Sequence, residues 1–207
     1  MRVIAHEFVA RPAMRVARDL LGCKLVRELP TGERLVGSIV ETEAYVGVRD
    51  EGCHSFGGRR TPRVEAMYAK AGTAYVYFTY GMHYCFNVVC GEVGEPVAVL
   101  IRAVEPIEGL EAMRRNRNVG MKSAKRLRDR DLCSGPAKLC QAFAIGPQLN
   151  FHDLLVGNQL WLERGETVPA KHVAKTARIG LGTVGVWKTK PLRFLIRGNP
   201  HVSVPVS

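Results

Sequence analysis

A short stretch rich in aromatic residues constrains the fold of this 207-residue chain more than any other feature. It reads Gly72-Thr-Ala-Tyr-Val-Tyr-Phe-Thr-Tyr-Gly-Met-His-Tyr-Cys-Phe-Asn-Val-Val-Cys90, and six aromatic residues fall between Tyr75 and Phe86. Aromatic and β-branched residues favour strands, and a glycine in the middle of such a run permits a tight bend. The stretch therefore predicts a protruding β-hairpin whose turn is Tyr80-Gly81-Met82.

The tip of this hairpin would expose large side chains, since Tyr80, Met82 and His83 lie where a hydrophobic core would not place them. One interpretation is an ordinary half-buried sheet with aromatic cross-strand pairs, and it suits Phe78 and Phe86. Large apolar side chains exposed at a turn generally contact a partner, and minor-groove proteins insert such wedges between base steps. A tip that dips into a membrane is the competing interpretation.

The net charge of +11 is unusual, whereas 46% hydrophobic and 24% charged residues are ordinary for a globular protein. A positive field favours polyanionic partners, nucleic acid first and an anionic membrane second. No apolar run approaches the roughly 20 residues that a membrane-spanning helix needs. The N-terminus also lacks the pattern of a signal peptide, so we expect an intracellular protein.

The six cysteines form no C-x-x-C pair, and zinc-site spacing is therefore absent. Thiols of intracellular proteins are usually reduced. We interpret all six as core or incidental residues and predict no metal and no other cofactor.

The remaining pattern indicates an α+β fold in a single domain that spans residues 1–207, because strand pairs are joined by few crossover helices. A strand over residues 97–104 is expected to end at Pro106. Helices are predicted over 12–21 and 108–117, with a third that opens at Ser134-Gly135-Pro136 and closes near Gly146; further strands are predicted over 23–28, 34–42, 159–163, 176–181 and 193–197.

Two glutamates, Glu41 and Glu43, are candidate catalytic carboxylates. They are two apart on a predicted strand, so both project from the same face. For two glutamates alone, an exposed edge strand that resists aggregation is the favoured interpretation. His54 in the following loop and the aromatic hairpin change that balance, because an apolar wall raises the pKa of a carboxyl. A glutamate in such a place can act as general base towards water.

Asn87 and Arg102 interrupt apolar strands, and buried polar groups need partners. A structural hydrogen bond is the default for Asn87, while an amide that reads the edge of a base is the sharper alternative. Arg102 is expected to pair with Glu41 or Glu43.

A basic stretch between Arg114 and Arg130 contains eight Lys or Arg residues and one acid, Asp129. Such one-sided charge favours contact with phosphates. Gly135-Pro136 before Lys138 is typical of a helix N-terminus that binds anions through free backbone N–H groups.

Six segments, in order along nearly the whole chain, resemble the alkyladenine (3-methyladenine) DNA glycosylases of the mammalian type. They are Val40-Glu-Thr-Glu-Ala-Tyr-Val-Gly47, Asp50-Glu-Gly-Cys-His-Ser55, Tyr75-Val-Tyr-Phe-Thr-Tyr-Gly-Met82, Arg102-Ala-Val-Glu-Pro-Ile-Glu-Gly-Leu-Glu111, Asp131-Leu-Cys-Ser-Gly-Pro-Ala-Lys-Leu-Cys-Gln141 and Lys190-Pro-Leu-Arg-Phe194. The resemblance implies one α+β domain around a curved antiparallel sheet with flanking helices. It also implies excision of alkylated purines from double-stranded DNA without a cofactor.

The resemblance implies a role for each matching residue. Glu43 would activate the water that attacks C1′ of the sugar, and Arg102 and Ile179 would frame the water and the base. The walls around the flipped base would be Tyr45, His54 and Tyr77, and the amide that disfavours guanine would be Asn87. The wedge would be Tyr80, flanked by Met82 and His83. The contacts to the DNA backbone would be Arg117 and Lys138. Relatives often carry tyrosine where this chain has His83. We expect a monomer that binds no membrane. If the source is bacterial, we expect it in the cytoplasm, associated with the nucleoid.

Two other functions stay open on the residues alone. A lesion- or structure-specific DNA-binding protein without catalysis would share the basic stretch and the wedge, but it would not need Glu43 beside aromatic walls. A small-molecule nucleosidase could use the two glutamates, although a free nucleoside needs neither a wedge nor a basic surface. A lyase would need an amine nucleophile, and no lysine is among the pocket candidates.

Overall fold

An antiparallel sheet of eight strands organises the part of the chain that the computed structural model describes, residues 3–120, 126–182 and 185–206. Its strands are β1 (Lys24–Glu28), β2 (Arg34–Tyr45), β3 (Ala74–Thr79), β4 (His83–Cys90), β5 (Val97–Glu108), β6 (Leu160–Glu163), β7 (Val173–Thr176) and β8 (Arg193–Ile196). The helices are α1 (His6–Val9), α2 (Ala13–Asp19), α3 (Leu110–Arg117), α4 (Asp129–Leu132) and α5 (Pro136–Ala142). The predicted α+β class is confirmed.

The long strand β2 lies in the interior of the sheet, whose order is β3-β4-β5-β2-β1-β6. Strand β5 pairs along one side of β2, and on the other side β1 pairs with its first part and β8 with Glu41–Glu43. Strand β8 also pairs with β7. The interpretation of Glu41 and Glu43 as charges on an exposed edge is therefore wrong, because both side chains are fully buried in a central strand.

The two faces of the sheet have different roles. The main core lies between one face and the helices α2, α3 and α5; its largest buried side chains include Leu20, Ile39, Phe86, Ile101, Phe143 and Phe194. The hydroxyl of Thr42 donates to the carbonyl of Ala17 in α2 at 2.7 Å, so Thr42 faces this core. Successive strand residues point to opposite faces, and Glu41 and Glu43 therefore face the other side.

The predicted aromatic hairpin is confirmed, with Thr79 of β3 opposite His83 of β4. The N–H of Met82 donates to the carbonyl of Thr79 at 3.2 Å, and the two central residues of the turn have positive φ, 51° at Tyr80 and 68° at Gly81. Positive φ at both central positions is the pattern of a type I′ turn, which suits the twist of the flanking strands. For a tyrosine this conformation costs about 1–2 kcal/mol, so the fold alone does not explain its presence there.

Two predicted boundaries are wrong. Strand β5 does not end at Pro106 but continues to Glu108, since Pro106 lies opposite Gly37 at a shift in register, where a missing N–H is tolerated. The helix after it begins at Leu110, because Gly109 has a φ of 79°.

The strand predicted over residues 176–181 is also wrong beyond its first residue. Strand β7 ends at Thr176, and residues 177–181 are irregular. The reason is that the N–H of Ile179 donates to the carboxylate of Glu43, and the side chain of Arg178 binds Asp50. Side-chain partners replace the ladder of a neighbouring strand in this segment.

All six cysteines are buried and none forms a disulfide, in agreement with the interpretation of core thiols. None of the helices among the described residues is long and apolar enough to cross a bilayer.

Replacement of Phe86 by alanine is expected to lower the free energy of unfolding by about 3–5 kcal/mol, because this ring is completely buried in the main core. Phe78 on the paired strand is the matched control, since its side chain is 44% exposed. Phe78→Ala should cost about 1 kcal/mol or less. Denaturant unfolding of the two variants measures both values, and equal losses would contradict the difference in burial between the two rings.

Candidate active site

A cavity of about 300 Å³ opens on the face of the sheet opposite the main core. This volume lies at the lower end of the range for small-ligand pockets. Strands β2 to β5, the loop around His54 and the segment 179–181 contribute its walls. The lining residues are Tyr45, Gly52, Cys53, His54, Met67, Tyr75, Tyr77, Thr79, Tyr80, Cys85, Asn87, Leu100, Arg102, Pro136, Ile179, Gly180 and Leu181.

Seven of the predicted site residues line this cavity: Tyr45, His54, Tyr77, Tyr80, Asn87, Arg102 and Ile179. Glu43 lies behind the lining and contacts three of its members. Met82, His83, Arg117 and Lys138 do not line it. The prediction missed Tyr75 as a wall, although its spacing from Tyr77 on the same strand places both rings on one face.

The aromatic walls of the cavity contact each other. The ring of His54 lies 4.6 Å from that of Tyr77 at an interplanar angle of 78°, and Tyr75 lies 5.2 Å from Tyr77. Nδ1 of His54 and the hydroxyl of Tyr75 form a hydrogen bond of 2.7 Å. Edge-to-face pairs of this kind add stability beyond the area that they bury, and they fix the orientation of each ring.

The imidazole of His54 is held neutral near pH 7. Burial lowers its pKa, and the guanidinium groups of Arg63 and Arg59 lower it further. A neutral imidazole has one ring nitrogen that donates and one that accepts. Since Nδ1 is engaged with Tyr75, the other nitrogen is the one that can contact a ligand.

Glu43 is fully buried behind the cavity and makes three contacts. Its Oε1 accepts the N–H of Ile179 at 2.7 Å and lies 3.2 Å from Nη1 of Arg102. Its Oε2 accepts the hydroxyl of Tyr45 at 3.2 Å. All three partners line the cavity, so one layer of residues separates the carboxylate from the space of the cavity.

Burial raises the pKa of Glu43, while the charge of Arg102 and the N–H of Ile179 oppose that rise. The pKa of Tyr45 is also raised, first by burial and then by the negative charge of Glu43. The site therefore holds a carboxyl whose proton affinity exceeds that of an ordinary glutamate, next to a hydroxyl that stays protonated. A carboxyl in this setting suits general-base chemistry near neutral pH.

Glu41 has a different environment, in which both oxygens are already occupied. Oε1 accepts from Nε of Arg102 at 2.9 Å, from Nε of Arg193 at 2.7 Å and from the hydroxyl of Ser203 at 2.8 Å. Oε2 accepts the N–H of Ser203 at 2.5 Å. The prediction that Arg102 pairs with Glu41 or Glu43 is confirmed for both, and these contacts make Glu41 a structural anchor.

The amide of Asn87 has the expected structural hydrogen bond, because its Nδ2 donates to the carbonyl of Tyr75 at 3.0 Å. Asn87 also lines the cavity, so the structural bond fixes the orientation of an amide that faces a ligand.

The hairpin tip separates into two parts. Tyr80 is 79% exposed and lies at the rim of the cavity, and Met82 is 67% exposed. His83 is half-buried and, with Met82, borders a shallow groove with residues 140–141 and 144–148. Of these three tip residues, Tyr80 is therefore the one that borders the cavity.

The basic stretch is less one-sided in the structure than in the sequence. Arg114 pairs with Glu111 and Asp129, and Arg115 pairs with Glu33. Such surface pairs are worth about 0–1 kcal/mol and are readily exchanged for a phosphate. Residues 121–125 of the stretch lie outside the described residues.

The two predicted backbone contacts, Arg117 and Lys138, lie on neighbouring helices. Nη1 of Arg117 donates to the side chain of Gln141, and burial lowers the pKa of this arginine. Nζ of Lys138 lies 3.4 Å from the hydroxyl of Ser134. Both side chains are half-buried, and the partners of their charged groups, Gln141 and Ser134, are neutral.

Sequence reasoning missed the buried ion pair between Asp50 and Arg178, which lies next to the site. The two residues lie far apart in the chain, and no spacing in the sequence links them. Among the described residues, no group of three or more His, Cys, Asp or Glu side chains could hold a metal ion. Within the same ranges, the cavity lining contains no lysine.

Comparison with known proteins identifies relatives over almost the whole chain. Residues 7–200 match the methylpurine-DNA glycosylase family. The human protein named DNA-3-methyladenine glycosylase is 51% identical over 96% of this chain and 67% of its own length, and the mouse protein of that name is 51% identical over 97% of this chain and 61% of its own length. A putative 3-methyladenine DNA glycosylase of Carboxydothermus hydrogenoformans is 47% identical over 97% of this chain and 98% of its own length. The chain thus spans about two thirds or less of these mammalian relatives and nearly all of the bacterial one.

Replacement of Glu43 by glutamine is expected to stabilise the protein more at high pH than at low pH. The raised pKa means that the folded protein binds the proton of Glu43 more tightly than the unfolded chain does. Stability from this group is therefore present at low pH and is lost as pH rises through the folded pKa, by at most about 1.4 kcal/mol per pH unit. Glutamine does not titrate, so it adds no such pH dependence to the free energy of unfolding.

The measurement is the free energy of unfolding of wild type and variant by denaturant between pH 5 and about pH 8. Glu163→Gln reports the effect of the same replacement at another buried position of the sheet. A difference between Glu43→Gln and wild type that stays constant over this range would contradict the raised pKa.

Proposed function

This chain belongs to the methylpurine-DNA glycosylase family, whose enzymes hydrolyse N-glycosyl bonds, and we propose that it removes damaged purines from duplex DNA in base-excision repair. The observation that carries the proposal is an aromatic cavity with a buried carboxylate, Glu43, behind its lining and an exposed tyrosine, Tyr80, at its rim. An enzyme that acts on a base in a duplex must extrude the base and hold it in a pocket. The wedge suits extrusion, the cavity suits binding of the base, and the carboxylate suits the hydrolysis that follows.

The substrates are alkylated or deaminated purines of the class 3-methyladenine, 7-methylguanine, hypoxanthine and ethenoadenine. Tyr45, His54 and Tyr77 line the cavity and present the rings between which a flipped base stacks. Alkylated purines are electron-poor or cationic, so π faces hold them by an attraction that normal bases lack. Asn87, with its amide fixed by the carbonyl of Tyr75, disfavours the exocyclic amino group of guanine.

Glu43 is the general base. Its Oε1 is occupied by Arg102 and Ile179, so Oε2, next to the Tyr45 hydroxyl, is the oxygen that takes the proton of the attacking water. The remaining hydroxide adds to C1′ of the sugar, the bond from C1′ to the purine nitrogen breaks, and its electron pair leaves with the base. A cationic base leaves as a neutral molecule, which is why one general base suffices for it.

Water is the nucleophile because the described cavity lining offers no lysine amine. The product is an abasic site with an intact DNA backbone, and the enzyme is monofunctional.

The DNA-binding surface surrounds the mouth of the cavity. Tyr80 fills the gap that the flipped nucleotide leaves, and Met82 and His83 flank it on the same hairpin. Arg117 and Lys138 contact the DNA backbone, in exchange for the neutral partners Gln141 and Ser134 that they have in the free protein. The net charge of +11 supports association with a polyanion.

One experiment distinguishes the proposed glycosylase from a DNA-binding protein without catalysis. A duplex that carries a single hypoxanthine or ethenoadenine is incubated with the protein, treated with alkali and run on a denaturing gel. Strand cleavage at the lesion only after alkali shows excision to an abasic site. Binding of the lesion duplex without any cleavage would support the non-catalytic alternative.

Replacement of Glu43 by glutamine should abolish excision while binding of the lesion duplex survives, because the amide keeps the shape but cannot accept the proton. Loss of a general base typically lowers the rate by about 10²–10⁴-fold. Single-turnover excision and duplex affinity are measured for Glu43→Gln and for Glu163→Gln, a buried glutamate on β6 away from the cavity. The assignment would be wrong if Glu43→Gln cleaved at the wild-type rate.

Replacement of Tyr80 by alanine should impair base flipping and leave the chemistry intact. Extrusion of a paired base costs a few kcal/mol, and the wedge lowers this cost by refilling the stack. Excision from a fully paired duplex should therefore slow, and the loss should shrink when the lesion lies in a mismatch. Ethenoadenine fluorescence measures flipping, and thermal unfolding measures stability.

Val93→Ala is the matched control, since Val93 is 74% exposed but lies on a turn that does not border the cavity. If Tyr80→Ala lowered the melting temperature and slowed all substrates equally, Tyr80 would be a structural residue and not a wedge.

A further inference from the structure

A buried ion pair lies beside the candidate active site, and the chemistry proposed above does not use it. Nη1 of Arg178 lies 2.6 Å from Oδ2 of Asp50, and Nη2 lies 2.7 Å from Oδ1. Neither side chain has any exposed surface, and neither lines the cavity. The fork of a guanidinium on both oxygens of a carboxylate fixes the two groups in distance and in orientation.

Arg178 connects this pair to the wall and the floor of the cavity. Its Nη1 donates to the carbonyl of Ala44 at 3.0 Å, and its guanidinium carbon lies 4.6 Å from the ring centroid of Tyr45. Because Arg178 is enclosed and does not line the cavity, it covers the side of the Tyr45 ring that a bound base does not contact. The next residue along the chain is Ile179, whose N–H donates to Glu43 at 2.7 Å.

Asp50 connects the pair to the loop that carries His54. It accepts the N–H of Val46 at 3.2 Å and the N–H of Gly52 at 3.0 Å. A Cβ atom on Gly52 would lie 2.8 Å from Nη2 of Arg178 and 3.1 Å from the side chain of Leu181. A side chain at position 52 would therefore displace the guanidinium of Arg178 or the side chain of Leu181.

We propose that Asp50 and Arg178 are positioning residues, which together hold the Tyr45 ring against the cavity and present the Ile179 N–H to the Glu43 carboxylate. This proposal rests on the function proposed above, in which Glu43 is the base. Asp50 anchors Arg178, Arg178 fixes the backbone that precedes Ile179, and Ile179 binds the oxygen of Glu43 that does not take the proton. The pair acts on the reaction only through Tyr45 and Glu43.

Stability alone does not account for the pair. Apolar residues of similar volume often replace a buried ion pair with no loss of stability, because the pair must lose its hydration. A guanidinium kept in this place at such a cost is expected to serve the geometry of the site.

The charged and titratable groups around Glu43 determine the expected effect of a change at Arg178. Glu41 and Tyr45 belong to β2, Cys85 belongs to β4 and Arg102 belongs to β5. Arg178 belongs to the segment that covers the carboxylate. The Ile179 N–H favours the ionised carboxylate, so a displaced N–H raises the pKa of Glu43. The acid limb of the pH–rate profile should then move to higher pH.

The experiment compares wild type with Arg178→Met, Arg178→Lys and the control Arg27→Met. Arg27 is a buried arginine on β1 whose Nη1 donates only to the carbonyls of Glu28 and Gln159, and it does not line the cavity. Single-turnover excision of hypoxanthine from a duplex is measured across pH, together with duplex affinity and thermal unfolding. Lysine keeps the charge of Arg178 but cannot bind both oxygens of Asp50.

We expect the acid limb to move upward by about one pH unit in Arg178→Met, with an unchanged affinity for an undamaged duplex. Arg178→Lys should show a smaller shift in the same direction, and Arg27→Met should lose stability without any shift. An acid limb that stays in place in both Arg178 variants would overturn the proposal. A shift in Arg178→Met together with a wild-type acid limb in Arg178→Lys would overturn it too, because charge alone would then account for the effect. If Arg178→Met does not fold, Arg178→Lys alone decides. A wild-type protein that excises nothing would instead refute the proposed function.

Discussion

The burial of charge on one face of the sheet is the constraint on which the rest of this structure depends. Glu41 and Glu43 lie in the central strand β2 with no exposed surface, and a carboxylate in such a place must be paired. Arg102 from β5 and Arg193 from β8 provide the pairing, and with the two glutamates they form a cluster of four groups with no net formal charge. Three strands are therefore connected by ion pairs as well as by their backbone hydrogen bonds.

The cluster also gives the two carboxylates different environments. Glu41 accepts hydrogen bonds from two arginines and from Ser203, whereas Glu43 shares only Arg102 and otherwise accepts from Tyr45 and from the Ile179 N–H. Two residues on the same face of the same strand thus have different roles, because the C-terminal segment at Ser203 covers one and the cavity adjoins the other. The asymmetry follows from neighbours that are distant in the sequence.

Periodicity and turn chemistry were sufficient to predict those parts of the fold that depend on local contacts. The aromatic hairpin could be predicted because Tyr75, Tyr77 and Gly81 obey strand and turn rules within one short segment. The pairing of Arg102 could be predicted because a buried arginine needs an acid, and two acids were at hand. Seven cavity residues followed from motifs whose members lie near each other in the chain or match a known family.

The failures have a common physical cause, which is that a tertiary partner replaced the local one. Pro106 continues β5 because Gly37 on β2 lies opposite it at a shift in register. Residues 177–181 leave the strand pattern, and there the N–H of Ile179 and the side chain of Arg178 bind Glu43 and Asp50 in place of a neighbouring strand. The second departure lies next to the buried charges, so the segment that local rules describe worst is the one that packs against Glu43.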